Sequence, residues 1–215
     1  MLSNQSLVLE LSNIDMSTIP SNLRDEPATL ILPPIPLPPL SSSHTPESLS
    51  YDNIQLLQQA LTVLNSFSGE VYVGLVAPAF NSNIGTHFRH CLNFYQTLLG
   101  EFDSGRVDYD HRERDPRLAT ERGYAIQKYA DMIERLCQLA HQPANQSVWV
   151  RQDTSFPAED DKAWAQSTLL RELQSLVSHT IHHFALIALM LRLQGIEPPP
   201  TFGVAPSTVA YWQAA

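Results

Sequence analysis

The most informative segment of the chain is Ser178-His179-Thr180-Ile181-His182-His183-Phe184, which places three of the eight histidines in one apolar run. At about 100° per residue of α-helix, His179 and His183 lie about 40° apart on one face. His182 lies about 100° away from His183. The face of His179 and His183 also carries apolar residues at helical spacing, namely Leu173, Leu176, Leu186, Ile187 and Met190. The segment therefore predicts a buried helix that presents two imidazoles one turn apart, close enough to bind one ion.

A second predicted helix, over about 83–102, brings another pair of histidines. Its apolar stripe begins at Ile84, and His87 lies within about 60° of that residue. His90 lies about 120° from Ile84, on the shoulder of the stripe. Helical phase alone therefore favours His87 as the partner of the first pair.

Two interpretations of these histidines are open. In the first, imidazoles from two helices converge on one metal ion, as facing helices of bundles commonly do. In the second, they are core histidines bonded to residues such as Ser178 or Tyr95, because an unsatisfied buried polar group costs about 1–3 kcal/mol. No glutamate completes a His-Glu-x-x-His arrangement, so a zincin mechanism is excluded.

Four segments with helical apolar periodicity predict an all-α four-helix bundle across about 47–195. Gly69 and Gly195 are the predicted stops of the first and last helices. Thr120 is the predicted cap of the third helix, and the segment 146–151 alternates enough for a brief strand. The predicted helices cover about 46–68, 83–102 (capped by Ser82 or Asn83), 120–140 and 164/169–195. The link 71–78 is expected to be irregular or extended.

The two ends of the chain differ from the predicted bundle. Residues 1–46 form an N-terminal extension in which the proline-rich stretch 31–40 favours an extended polyproline arm. Residues 196–215 form a short tail that is expected to pack back on the bundle through Phe202, Tyr211 and Trp212.

The composition favours a cytoplasmic protein. Lysine and arginine number 13 against 22 acidic residues, which gives a net charge of −9. An acidic balance argues against nucleic acid or an anionic membrane as the main partner. No apolar run approaches the roughly 20 residues of a membrane span, and the N-terminus lacks a secretory signal. The two cysteines, Cys91 and Cys137, are expected to be reduced thiols within helices.

Charge of both signs is dense between Ser104 and Leu118. Such a segment is typical of a solvated connection. The functional alternative is that Arg112 and Arg114 hold an anionic group over the end of the bundle. Nearby carboxylates could reach the site as a general base, the candidates being Asp108, Asp110 and Glu113.

The residues around both histidine pairs resemble the DinB superfamily, the DinB and YfiT-like metal-binding four-helix bundles. The resemblance rests on Ile84-Gly85-Thr86-His87-Phe88-Arg89-His90 and on His179-Thr180-Ile181-His182-His183, and it covers about 47–195. The charged segment 108–115 is also similar to a loop of some uncharacterised bacterial members. By family position the resemblance implies a metal-ligand set of His90, His179 and His183, with His87 the alternative to His90. It also implies an up-down-down-up order of the helices.

The resemblance implies a metal-dependent enzyme of the thiol S-transferase or hydrolase type. Three imidazoles leave coordination positions open on zinc, nickel or iron, so the ion could activate water or a thiol of a small-molecule substrate. The alternative is a non-catalytic, metal-stabilised binding or stress-response module. After His183, Phe184-Ala185-Leu186 stands where the family usually has Arg-Gly-Gln, so the resemblance does not extend to a shared substrate. A homodimer is a further expectation from the family.

Overall fold

A computed structural model describes residues 45–139, 146–153 and 163–214. Over these residues the protein is predominantly helical, as predicted. The helices are, in chain order, α1 (Pro46–Leu64), α2 (Gly69–Val73), α3 (Ile84–Glu101), α4 (Arg117–Thr120), α5 (Arg122–Leu139), α6 (Leu169–Leu193) and α7 (Pro206–Ala214). A 3-10 turn, Phe102–Ser104, extends α3, and the strands are β1 (Arg106–Asp108), β2 (Ser147–Arg151) and β3 (Ala165–Thr168). The predicted proline-rich stretch 31–40 lies outside the described residues.

The four long helices enclose one apolar core. Helix α1 contacts α5 and α6, and α3 contacts the same two helices. The largest fully buried side chains of the core include Tyr95 from α3, Tyr129 from α5 and Phe184 from α6. This packing brings the histidines of α3 next to those of α6. The up-down-down-up order and the division of the chain at 46 and 195 stay predictions.

Side-chain caps fix the start of both helices that carry the histidine pairs. The N–H of Thr86 donates to Asn83 Oδ1 over 2.8 Å at the start of α3. The N–H of Arg171 donates to Thr168 Oγ1 over 3.3 Å at the start of α6. Each cap satisfies a backbone donor that the helix itself leaves unpaired. Of the two predicted caps of α3, Asn83 is therefore the one that the structure uses.

The predicted end of the first helix is wrong. Helix α1 ends at Leu64 because Asn65 turns back on it, donating from Nδ2 to the carbonyl of Leu61 over 2.8 Å. Gly69, the predicted stop, instead begins α2. The first part of the link 71–78, predicted to be irregular or extended, is therefore helical.

The charged segment after α3 is more ordered than predicted. Strand β1 pairs in parallel with β2, and β2 pairs antiparallel with β3. Thr120 is the last residue of α4 rather than the cap of the third long helix, which begins at Arg122. Strand β1 escapes prediction because three residues show no alternation and the partner strand lies far along the chain. The brief strand predicted at 146–151 is confirmed as β2.

The start of α3 lies in close contact with α4. A Cβ atom on Gly85 would lie 2.3 Å from the carbonyl oxygen of Ala119 and 2.7 Å from the ring of Tyr72. The hydroxyl of Tyr72 donates to the carbonyl of Leu118, the residue before Ala119. Only glycine lets the two backbones approach this closely at position 85.

Helix α6 is long and apolar enough to cross a membrane by length and composition alone, although the sequence suggested no such run. A core helix passes the same test. Here α6 packs against α1 and α3 and buries Leu173, Phe184 and Ile187 completely. We interpret α6 as a helix of the protein core.

The C-terminal tail returns to α6 through one aromatic residue. Phe202 is buried and stacks on Phe184 with 4.6 Å between ring centroids. Gly203 follows with a φ of +74°, and a Cβ there would lie 2.4 Å from the backbone nitrogen of Ala185. Tyr211 and Trp212 are exposed, contrary to expectation, because α7 has no buried residue.

Candidate metal centre

Three histidine side chains from α3 and α6 converge on one another. One ring nitrogen each from His90, His179 and His183 lies within 4.8 Å of the other two. The Nε2 atoms of His90 and His179 are 3.1 Å apart. A tetrahedral ion with metal–nitrogen bonds of about 2.0–2.1 Å separates two ligand nitrogens by about 3.3 Å. The His90–His179 separation is close to that value, and the three nitrogens could hold one divalent ion.

The three imidazoles are neutral at pH 7. Burial, followed by the neighbouring His179, lowers the pKa of His90 to about 4. Burial likewise lowers the pKa of His179 to about 4, with His182 and Arg112 adding to the effect. Burial, followed by His90 and the other nearby histidines, lowers the pKa of His183 to about 3. A neutral imidazole has the lone pair that a metal needs, so the site can bind an ion without first losing protons.

His87 lies beside these three residues. Its Nδ1 atom is 3.2 Å from Nδ1 of His183, and its Nε2 atom is 3.0 Å from Oγ of Ser82. The three-nitrogen cluster contains His90 and not His87. Helical phase favoured His87 because His87 lies nearer than His90 to Ile84 in the apolar stripe. Helix α3 packs between α5 and α6, so the shoulder of the stripe, where His90 lies, faces α6.

The partners expected for ordinary core histidines are engaged elsewhere. The hydroxyl of Tyr95 donates to Asn53 Oδ1 over 2.8 Å and lies 3.1 Å from Oγ1 of Thr180. Ser178 is exposed. Within the described ranges, Nδ1 of His179 is buried and has no hydrogen-bond partner. These contacts argue against the second interpretation, in which the histidines are core residues bonded to Ser178 or Tyr95.

Phe94 packs against the ring of His179. The two ring centroids are 4.1 Å apart, and the rings of Phe94 and His90 are 5.1 Å apart. Phe94 also stacks on Tyr109, with 5.1 Å between the ring centroids. The guanidinium of Arg112 lies 5.0 Å from the centroid of the Phe94 ring. Phe94 therefore connects the charged segment after β1 with two of the converging histidines.

Two buried contacts fix that segment. The hydroxyl of Tyr109 donates to Glu172 Oε2 over 2.8 Å. The carboxylate of Asp108 accepts hydrogen bonds from Arg151 and from the backbone N–H of Asp110. Burial raises the pKa of Asp108, but these hydrogen bonds outweigh it and hold the pKa below its ordinary value. Asp108 therefore anchors a turn and is not placed to act as the general base considered above.

A cavity of about 240 Å³ lies beside the histidines. His90 and His183 form part of its wall and connect it to the three-nitrogen cluster. Of the described residues, no carboxylate lines it, so Asp110 and Glu113 are not placed as bases either. The lining residues are Ser82, Thr86, His87, Arg89, His90, Asn93, Arg112, Arg114 and His183.

Comparison with known proteins now identifies the family. A family model described as DinB family matches residues 45–213. The chain belongs to the DinB family. The resemblance drawn from the two histidine segments is confirmed, and a three-histidine cluster in a DinB-family chain is compatible with metal binding. No curated protein and no solved structure matches the chain.

Three residues of this DinB-family site were not predicted from the sequence. Asn93 and Phe94 follow His90 by three and four positions, the spacing at which residues of a helix are neighbours. That spacing is the signal that could have found them. Arg89 lines the cavity beside His90, and the sequence carries no signal that separates it from an ordinary solvated arginine.

Proposed function

We propose that this DinB-family protein binds one divalent metal ion through His90, His179 and His183 and acts as a metal-dependent enzyme. The observation that carries the proposal is the approach of three ring nitrogens to within 4.8 Å of one another. Imidazole ligands suit zinc, nickel and iron(II). Three of them leave at least one coordination position for water or substrate, as in catalytic zinc sites.

The cavity supports an enzyme over a closed structural site. A structural zinc site is normally closed by a fourth protein ligand. Here the space next to His90 and His183 is a cavity lined by polar and cationic groups, large enough for part of a small molecule.

The reaction class follows from what a bound ion supplies. An ion held by three neutral imidazoles acts as a Lewis acid, which lowers the pKa of bound water or of a thiol. Thiol S-transfer and hydrolysis of a small-molecule substrate are the two reactions that use this chemistry. The role of the protein is to hold the ion, to orient His179 against Phe94 and to direct the substrate through the cavity.

The remaining parts of the proposal concern the whole molecule. We infer an up-down-down-up order of the four long helices, a cytoplasmic location and a homodimer. Exposed apolar side chains at the end of α6 and on α7 support the homodimer, namely Leu189, Leu193, Tyr211 and Trp212. Sedimentation that shows only monomer at micromolar concentration would count against it.

Metal analysis of the untagged full chain tests the central proposal. The wild type should contain about one equivalent of a divalent metal, and His179→Ala should contain little, because a ligand is lost. His182→Ala is the matched control, since His182 is exposed on the same helix and belongs to no cluster of ligand nitrogens among the described residues. It should keep the metal. Equal metal content in all three proteins, or none in the wild type, would overturn the proposal.

Metal content without turnover of any thiol or hydrolysable substrate would instead favour the non-catalytic binding module.

A further inference from the structure

Three arginines surround the cavity beside the proposed metal centre. Arg89 comes from α3, and Arg112 and Arg114 come from the segment between β1 and α4. Among the described residues, Arg89 and Arg114 make no side-chain hydrogen bond or ion pair. Burial lowers the pKa of Arg112, and the charges of Arg114 and Arg89 lower it further, whereas Asp110 acts in the opposite direction. The three arginines therefore line one cavity, where the charges of Arg89 and Arg114 act on Arg112.

This cluster opposes the overall charge of the protein. The chain carries 22 acidic and 13 basic residues, yet the described lining of the cavity contains arginines and no carboxylate. A concave site with one sign of charge attracts a ligand of the other sign.

Asn93 supplies a second and independent indication of a ligand. Its side chain is only 2% exposed and lines the cavity. Its Oδ1 atom is buried and accepts no hydrogen bond from any described residue. A buried acceptor left unpaired costs about 1–3 kcal/mol, and an O–H or N–H group of a ligand in the cavity would remove that cost.

Arg112 is already oriented for binding. Its Nη1 atom donates to the carbonyl oxygen of Tyr109, and its guanidinium lies 5.0 Å above the ring of Phe94. A guanidinium that donates one hydrogen bond from Nη1 has further N–H groups that can donate to a ligand. Arg89 and Arg114, which lack such contacts, can turn toward that ligand as it enters.

We propose that the cavity is a subsite for an oxyanion carried by a small molecule that also bears a hydroxyl or amine donor. Planar guanidinium groups match the paired oxygens of a carboxylate or a phosphate, and Asn93 Oδ1 accepts the donor. This inference rests on the proposed function to the extent that the same molecule is the substrate of the metal centre. It places the anionic group over the arginines and leaves the rest of the molecule toward His90 and His183.

Calorimetric titration of the full chain with three probes tests the subsite. Succinate and L-malate are two dicarboxylates that differ by one hydroxyl, and inorganic phosphate represents the other source of oxyanions. The titrations are done on metal-free protein, so that no probe binds to the metal, and are repeated with zinc. Metal-free protein should bind L-malate more tightly than succinate by about two- to tenfold, the value of one hydrogen bond. Tighter binding of phosphate than of either dicarboxylate would assign the subsite to a phosphate group.

Arg114→Gln should weaken binding of the preferred probe by about tenfold or more, because a charged hydrogen-bond donor is lost. Arg171→Gln is the matched control, since it removes the same charge from an exposed position on α6. It should change the affinity less than twofold. Asn93→Leu should remove the preference for L-malate over succinate. Arg114 is exposed, so the fold of its variant is not at risk.

Absence of binding by all three probes, or an equal loss in Arg171→Gln, would overturn the inference. Because the titrations are done on metal-free protein, they test the subsite independently of the proposed metal site. A chain that binds oxyanions but no metal would retain the subsite and overturn the proposed function. A chain that binds zinc and none of the probes would retain the proposed metal site and overturn the subsite.

Discussion

Phe94 on α3 lies against His179 on α6, with 4.1 Å between the ring centroids and 37° between the ring planes. The guanidinium of Arg112 lies 5.0 Å from the centroid of the same phenyl ring. One aromatic side chain therefore contacts both a proposed metal ligand and a proposed anion-binding arginine. Its position links the orientation of the His179 ring to the position of the Arg112 guanidinium.

Phe94→Leu should weaken zinc binding by about tenfold, the lower end of what residues that orient metal ligands contribute. Leucine keeps the site apolar but lacks the flat surface that holds the imidazole. Competition with a chromophoric chelator measures the affinity. Phe67→Leu is the matched control, because both phenylalanines are 7% exposed and Phe67 stacks on Tyr72 instead of on a histidine. An equal loss of affinity in both variants would mean that Phe94 acts only through stability.

His90→Ala should leave the protein with little zinc, whereas His87→Ala should retain the ion with an affinity reduced by about tenfold to a hundredfold. The reason is that His87 contacts His183 through a 3.2 Å Nδ1–Nδ1 approach but lies outside the three-nitrogen cluster. Metal analysis after gel filtration separates the two results. If His87→Ala is empty and His90→Ala is full, helical phase was the better guide and the ligand assignment on α3 must change.

The metal-free protein should lose stability as the pH falls from about 6.5 toward 4. Histidines of the unfolded chain bind a proton near pH 6.5. In the folded protein His90 and His179 have a pKa of about 4 and bind a proton only near that pH. The unfolded state therefore holds more protons across this window, so the free energy of unfolding rises with pH and falls with acid. Urea unfolding at several pH values measures the slope.

His179→Gln is the control for this pH dependence. Glutamine does not titrate, so the variant should show a shallower slope between pH 6.5 and 4 than the wild type. Identical slopes would mean that His179 is not the source of the acid sensitivity.

Deleting residues 1–40 should change the melting temperature by less than about 2 °C, which corresponds to about 0.5–1 kcal/mol. Helix α1 has its own local start: Ser48 N–H donates to Thr45 Oγ1 over 3.1 Å, and Thr45 N–H donates to Ser48 Oγ over 2.9 Å. Deleting residues 1–48 removes this capping box and should cost about 0.5–2 kcal/mol. Thermal melts followed by circular dichroism compare the two. A large loss from the shorter deletion would show that Ile31, Leu32, Ile35 and Leu37 cover part of the core.

The sequence predicted what depends on local chemistry. Asn83, one of the two predicted caps of α3, accepts a hydrogen bond from the residue three positions on, and such a pair is visible in the sequence. The pairing of β1 with β2 and the contact of Phe94 with His179 are not visible in this way. They join residues far apart in the chain, and they depend on how α3 is rotated against its neighbours. The same rotation places His90 rather than His87 in the three-nitrogen cluster, and which of the two binds an ion stays a prediction.

The cavity shows the same limit. Arg112 and Arg114 stood out as charges in a dense segment, and an anionic partner was one of two interpretations. The third arginine, Arg89, carried no signal in the sequence, and the buried amide of Asn93 was not predicted although its spacing from His90 pointed to it; both come from α3. Only the packing of the segment after β1 against that helix brings the four together.

The contact of Gly85 with Ala119 has a consequence for genetics. An α-helix rises about 1.5 Å per residue and transmits a displacement along its axis with little loss. A methyl group at position 85 would force the start of α3 away from α4, and His90, one and a half turns further on, would move with it. A screen for mutants that no longer retain metal should therefore recover Gly85 beside the histidines. Such a mutant would lose the metal although Gly85 has no side chain that could bind it.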